Sequence, residues 1–243
     1  MTDCGARATA RTADAAFVLP YRGGSVHQPI SGIARTDASL TEPDALLVQI
    51  DSGIDEVDTA RMEEYALLAA LLRRAPDSAL LKGLSRISGN STPLGAAHAA
   101  LARAAEEADP GRLDREFFEL FIGVGRGELL PYGSYYLTGF LNERPLARLR
   151  DDLRMLDIAR ADDHTEPEDH AFILCEIMAG LASGSLPVAP GAQKTLFQKH
   201  LAPWIGRFFA DLEQVKNSNF YRCVGTVGRL FVEIETEAFA LPS

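Results

Sequence analysis

The sequence predicts an all-α protein, a single-domain bundle of roughly nine or ten helices. Three observations predict it. From about residue 55 onward, apolar residues recur three and four positions apart. Prolines, glycines and the pairs Thr92-Pro93 and Asp109-Pro110 punctuate that pattern at short intervals, as helix starts and stops do. No run alternates apolar and polar residues in the manner of strands, and no repeat of fixed period is present.

The elements follow in order. Residues 1–52 mix Thr, Ala, Gly, Ser and Pro with isolated hydrophobics, and are expected to form a disordered tail ahead of a helical domain at 53–243. Within the tail, Leu46-Leu47-Val48-Gln49-Ile50 reads as a short strand or an adhering segment. A first helix carries Met62, Tyr65, Ala66, Ala69 and Leu72 on one stripe and stops before Pro76. Asp77 caps a second helix, to about Ser88. Thr92-Pro93 opens a third, to about Ala108, and Asp109-Pro110 opens the helix that carries Phe117, Leu120 and Phe121. Gly123, Gly125 and Gly127 stop it. Ser134 is read as the cap of a helix through Leu141, and Pro145 opens another with Leu146, Leu149 and Leu153 on one face. The next is read from Glu166-Pro167 to Ala182, with His170, Leu174, Ile177 and Leu181 aligned and Gly184 at its end. After Pro203, Trp204, Phe208, Leu212 and Val215 share a face. The last helix places Phe220, Val224, Val227, Phe231 and Ile234 on a buried seam, with Gly225 and Gly228 allowing close approach.

Composition narrows the function classes. The chain has 243 residues, 47% hydrophobic and 24% charged, enough to bury a sizeable core. A net charge of −10 argues against a nucleic-acid backbone or an anionic membrane as partner and is compatible with a basic one. Cys4, Cys175 and Cys223 are odd in number and widely spaced, which fits a reducing compartment and offers no zinc ribbon. No apolar run is long enough to span a bilayer, so stable membrane insertion is not expected. Arg7 and Arg11 are not adjacent and no apolar core follows them, so a cytoplasmic location is expected.

Chemistry-bearing residues gather between Phe117 and His170. His164, Glu166 and His170 could be metal ligands of a helical enzyme, since imidazole and carboxylate at helical spacing suit zinc or iron. Pro167 interrupts that set, and Thr165-x-x-Glu168 equally matches a capping box. The glycines at 123–127 follow a helix and lack Gly-Lys-Ser/Thr, so they form a turn rather than a phosphate loop. There is no Gly-x-Ser-x-Gly, and Cys175 lies in an apolar helix. The residues therefore point away from an enzyme, and no cofactor is expected. The aromatics Phe117, Phe118, Phe121, Tyr132, Tyr135 and Tyr136, next to carboxylates, could instead line a groove for an amphipathic peptide with basic residues.

Three motifs carry a family resemblance: Phe117-x-x-Leu120-Phe121-x-Gly123, Leu130-Pro131-Tyr132-Gly133-Ser134-x-Tyr136-Leu137, and Glu166-Pro167-Glu168-Asp169-His170. Together they resemble the signature of the TorD/DmsD/NarJ family of cytoplasmic chaperones that mature molybdenum-containing redox enzymes. Phe208-Phe209-x-Asp211-Leu212 and the helix from Phe220-Tyr221 to Glu235 extend the likeness over about residues 55 to 240. The resemblance implies an all-helical fold and a chaperone whose partners are an apo-molybdoenzyme catalytic subunit and its twin-arginine signal peptide. It implies a peptide-binding groove at Phe117, Leu120, Phe121, Pro131, Tyr132, Tyr136, Pro167, Asp169 and His170, with Glu166 and Glu168 beside it. The family often has tryptophan where this chain has Phe117, Tyr132 and Tyr136. A monomer and a domain-swapped homodimer are both compatible with the sequence.

Overall fold

Six of the ten described helices start at a side chain that takes over an orphaned backbone N–H group. The computed structural model describes residues 21–23, 55–160, 166–186 and 188–241. Asp55 accepts from Val57 N (3.3 Å) at the start of α1, Glu56–Arg73. Asp77 accepts from Leu80 N (2.8 Å) at α2, Ser78–Leu84. Thr92 accepts from Gly95 N (3.0 Å) at α3, Pro93–Glu106, and Asp109 from Arg112 N (2.8 Å) at α4, Pro110–Phe117. The chain continues through a π-helical turn, Phe118–Ile122, and then through α5, Gly133–Thr138, and α6, Arg144–Met155. After α7, Ala171–Ala182, come α8, Ala192–Leu196, and a second π-helical turn, Phe197–Leu201. α9, Ile205–Glu213, and α10, Asn219–Ala240, complete the bundle; Ser218 caps α10 by accepting from Tyr221 N (3.0 Å). The all-α expectation holds, with ten α-helices among the described residues.

The boundaries differ from expectation at three places. α2 ends at Leu84, short of Ser88. Ser134 lies inside α5 rather than at its cap, and α5 ends at Thr138 before the left-handed Gly139, short of Leu141. α7 begins at Ala171, and the cap is His170, whose Nδ1 accepts from Phe172 N at 3.1 Å. Thr165 lies outside the described residues, and the Glu168 carboxylate binds Arg150 on α6 at 2.7 Å. Glu166–Asp169 is thus a turn ahead of the helix. Three-residue strands β1, Tyr21–Gly23, and β2, Ile158–Arg160, form an antiparallel ribbon, with Tyr21 opposite Arg160. The remainder of 1–52, including Leu46–Ile50, lies outside the described residues.

α7 is the centre of the bundle. All of its residues are buried, as expected of a helix that is apolar all round. α1 packs along it, while α10 packs against α9 and α3. Its one charge, Glu176, meets Arg73 of α1 at 3.2 Å, leaving Glu176 Oε2 unpartnered. Burial raises the Glu176 carboxyl to about 7 against the pull of Arg73. Among the described residues no helix is long and apolar enough to cross a membrane.

The α9–α10 contact depends on two glycines. A Cβ at Gly225 would fall 2.4 Å from Glu213 N, and one at Gly228 would fall 2.3 Å from the buried Phe209 ring. Gly225→Ala must therefore push α10 away from α9. A loss of about 2 kcal/mol in unfolding free energy is expected. Urea denaturation checks it, and unchanged stability would contradict the close approach.

Candidate functional site

Two proline-bearing segments are stitched together where α5 and α7 begin. Pro131 and Pro167 hold extended chain ahead of each helix, because proline disfavours helical backbone at the residue before it. Tyr132 and His170 form an antiparallel bridge. Gly133 N donates to Asp169 O (2.9 Å), and Ala171 N donates to Pro131 O (2.8 Å). The two helix starts are thus fixed side by side.

Asp169 completes the seam. Its Oδ2 accepts from Ser134 N at 2.7 Å, so a residue just before α7 satisfies the first turn of α5. Asp169 is only 3% exposed, and neither its Oδ1 nor the Ser134 Oγ has a hydrogen-bond partner. Such a buried acceptor is costly unless something supplies a donor. His170, also buried, keeps its Nδ1 on Phe172 N, so any ring proton at neutral pH sits on Nε2. Burial lowers its pKa to about 3. Its ring lies edge-on to Tyr132, with centroids 4.8 Å apart, and 4.5 Å from Phe172. Tyr132 donates to Glu166 Oε2 at 2.6 Å, and burial and that carboxylate push its phenol up.

The other expected groove residues divide into two groups. Tyr136 extends the site: its hydroxyl donates to Asp211 (3.0 Å), and its ring lies 5.6 Å from Trp204 and 5.9 Å from Phe208. Phe117, Leu120 and Phe121 belong to the core. The Phe117 and Phe121 rings lie 5.0 Å apart and meet Tyr221 of α10 at 6.1 and 5.6 Å, and Leu120 is buried. Glu168 is already paired with Arg150.

A hollow of about 420 Å³ opens beside Asp169. Gly133, Leu137, Leu149 and Trp204 supply its apolar surface, and Arg148, Asp152, Lys199 and His200 its polar surface. Gly133 is required there, since a Cβ would fall 2.9 Å from Trp204 Nε1. Trp204 Nε1 donates to His200 O at 2.6 Å, which fixes the indole. Asp152 faces His200 Nε2 at 2.7 Å and accepts from Lys199 at 3.2 Å; these bonds hold its carboxyl below the usual range. A second hollow, lined by Leu130, Tyr135, Tyr136, Arg207 and Asp211, shares Leu137 with the first. Beyond Leu137, Phe140 (69% exposed) and Leu141 offer bare apolar surface at the end of α5. Sequence reasoning missed Arg148, Asp152, Lys199, His200 and Trp204 as wall residues. The usable signal was Trp204, the chain's single tryptophan, directly after Pro203.

The arrangement suits binding. Nothing activates Ser134 Oγ, and burial pushes the Cys175 thiol up. His164 lies outside the described residues, and His170 Nδ1 is occupied as a helix cap. Among the described residues no group of three or more His, Cys, Asp and Glu could hold a metal ion, so the geometry gives the metal-enzyme reading no support.

The buried, neutral His170 has a consequence for stability. Its folded pKa lies below the ordinary value of 6.5, so the unfolded chain binds the proton first. The contribution is present above about pH 6.5 and is lost as pH falls toward 3. Glu176, raised to about 7, has the opposite sign, so the two must be separated by a difference measurement. His170→Asn keeps a cap acceptor without the titration. The stability of wild type minus that of His170→Asn should rise by up to about 1.4 kcal/mol per pH unit between pH 4 and 6.5, then level off. Denaturant melts check it, and a flat difference would mean that His170 charges in the native state.

The family model described as nitrate reductase delta subunit matches residues 88–210, a span that holds the whole seam and the Trp204 hollow. The chaperone protein TorD of Vibrio cholerae is 28% identical over 130 residues, covering 50% of this chain and 59% of TorD. A Haemophilus influenzae protein, provisionally named as the Tat proofreading chaperone DmsD, is 29% identical over 114 residues, covering 46% and 54%. The matches thus span a little over half the length of these relatives. A crystal structure of a candidate redox enzyme maturation protein from Archaeoglobus fulgidus shares the fold, with a TM-score of 0.50 at 18% identity over 71% of this chain and 93% of that one. By its matched family and its helical fold, the chain belongs to the nitrate reductase delta subunit family, the TorD/DmsD/NarJ group of chaperones.

Proposed function

We propose that this chain is a chaperone that binds the twin-arginine signal peptide and the apo form of a molybdenum-containing redox enzyme, and that it acts in the cytoplasm. It would hold the client until its cofactor is inserted and so prevent premature export. One observation carries the reading: Asp169, which lines the partly apolar hollow, has a buried carboxylate oxygen, Oδ1, without a hydrogen-bond partner. An arginine guanidinium supplies the donor that this oxygen lacks. In a desolvated wall such a charge-assisted bond is worth more than an exposed ion pair. The neutral His170 next to it adds no repulsion. The peptide's apolar segment lies on the bare Leu137, Phe140 and Leu141 surface beside the hollow. The net charge of −10 steers a basic segment inward. The names of the TorD and DmsD relatives support the same role.

Titration of a twin-arginine peptide tests it. Asp169→Asn retains a carbonyl oxygen for Ser134 N while removing the charge. Binding to the wild type that weakens about ten- to hundredfold in Asp169→Asn is expected. Equal affinity in both would remove Asp169 from the site, and no binding to either would remove the peptide.

A further inference from the structure

The largest hollow among those described is elsewhere, at about 650 Å³ between the N-terminal half of α1, the start of α3 and the C-terminal half of α10. It shares no lining residue with the Trp204 hollow. Its floor is apolar: Leu94 and Phe231 lie beside Val57, 59% exposed, and Ile234, which is expected on the buried seam of the last helix but is 47% exposed. Exposed β-branched side chains on two different helices, facing one hollow, are a surface that water covers poorly.

The rim is acidic. Asp55, Glu56 and Glu63 stand on the α1 side, all of them exposed. The lining arginine, Arg61, is engaged by Asp58 and by Glu235 at 2.8 Å, so it does not offset the rim. His98 is likewise held by Glu64 at 3.0 Å. Glu56, Ala60 and Glu63 share one helical face, and the two carboxylates are separated by two turns, about 10 Å. Ala60 between them leaves room for a backbone to approach.

We propose that this cleft is a second docking site, for a cationic amphipathic helix of a partner protein. Two lysines or arginines seven positions apart on such a helix match Glu56 and Glu63 in spacing. Apolar side chains on its adjoining face cover Val57 and Ile234. This is groove recognition of a helix with a charge-matched rim. The inference does not rest on the twin-arginine reading, because it uses different helices and different residues.

The test is an anisotropy titration of the full chain with a labelled Leu/Lys amphipathic helix whose lysines recur every seven positions. The wild type is compared with Glu56→Lys/Glu63→Lys, with Val57→Ser/Ile234→Ser, and with Asp169→Asn, each checked for folding by thermal melt. Saturable binding that weakens about tenfold or more in both cleft variants and is unchanged in Asp169→Asn is expected. Lack of saturable binding, or equal binding by either cleft variant, would overturn the proposal. Loss in the charge-reversed variant alone would mean nonspecific attraction, and loss in Asp169→Asn would place the helix in the Trp204 hollow; either overturns it. Sedimentation of the protein alone adds one more contrary outcome, a wild-type dimer that Val57→Ser/Ile234→Ser dissociates, which would assign the cleft to a second copy of this chain.

Discussion

The hydrogen bond from Ser134 N to the buried Asp169 carboxylate fixes the architecture of the site. α5 has no capping side chain from its own segment. Its first turn would otherwise present buried N–H groups to apolar surroundings, at a cost of about 1–3 kcal/mol for each one left unpaired. Asp169 removes that cost for Ser134 and, with the Gly133 N–Asp169 O and Ala171 N–Pro131 O bonds, fixes α5 against the start of α7. Tyr132 and His170 are aligned by the same seam, and the Trp204 hollow opens next to it.

Rigidity comes from below the seam. α7 is buried along its full length and bounded by α1, while the glycine contacts hold α10 on α9. A site erected on the first residues of such a helix inherits its stability, whereas α5 and the chain after it carry exposed Leu137, Phe140 and Leu141. The division places fixed polar groups at one end of a surface and adaptable apolar groups at the other. That suits a ligand with a defined charged part and a variable greasy part. At the seam, burial pushes the Tyr132 phenol up and His170 down, and Ser134 Oγ is buried without a hydrogen-bond partner.

Local physics was legible in the sequence. Asp77, Thr92 and Asp109 announced helix starts because a cap acts on an N–H only two or three residues away. Gly225 and Gly228 were readable as a close helix contact because they interrupt a regular seam. The site was legible as a region but not as a mechanism. The sequence pattern puts Asp169 in the first turn of its own helix, yet its partner is Ser134, thirty-five positions upstream. The family resemblance groups Phe117, Leu120 and Phe121 with Tyr132 in one groove, but Leu120 is buried and the Phe117 and Phe121 rings meet Tyr221 in the core, because residues on one helix face follow packing rather than motif membership. The walls of the hollow come from α6, the second π-helical turn and Trp204, and no local pattern links such distant segments. The ribbon of Ile158–Arg160 with Tyr21–Gly23 was invisible because three residues are too few to alternate.

On the proposed function Asp169 has two jobs, one oxygen for the α5 start and one for a ligand guanidinium. A double-mutant cycle tests it most directly, pairing wild type and Asp169→Asn with a twin-arginine peptide and its di-glutamine counterpart. A coupling energy of about 1.5 kcal/mol or more is predicted, because each partner's removal should matter only while the other is present. Additive losses, with coupling near zero, would contradict it and leave Asp169 as a purely structural cap.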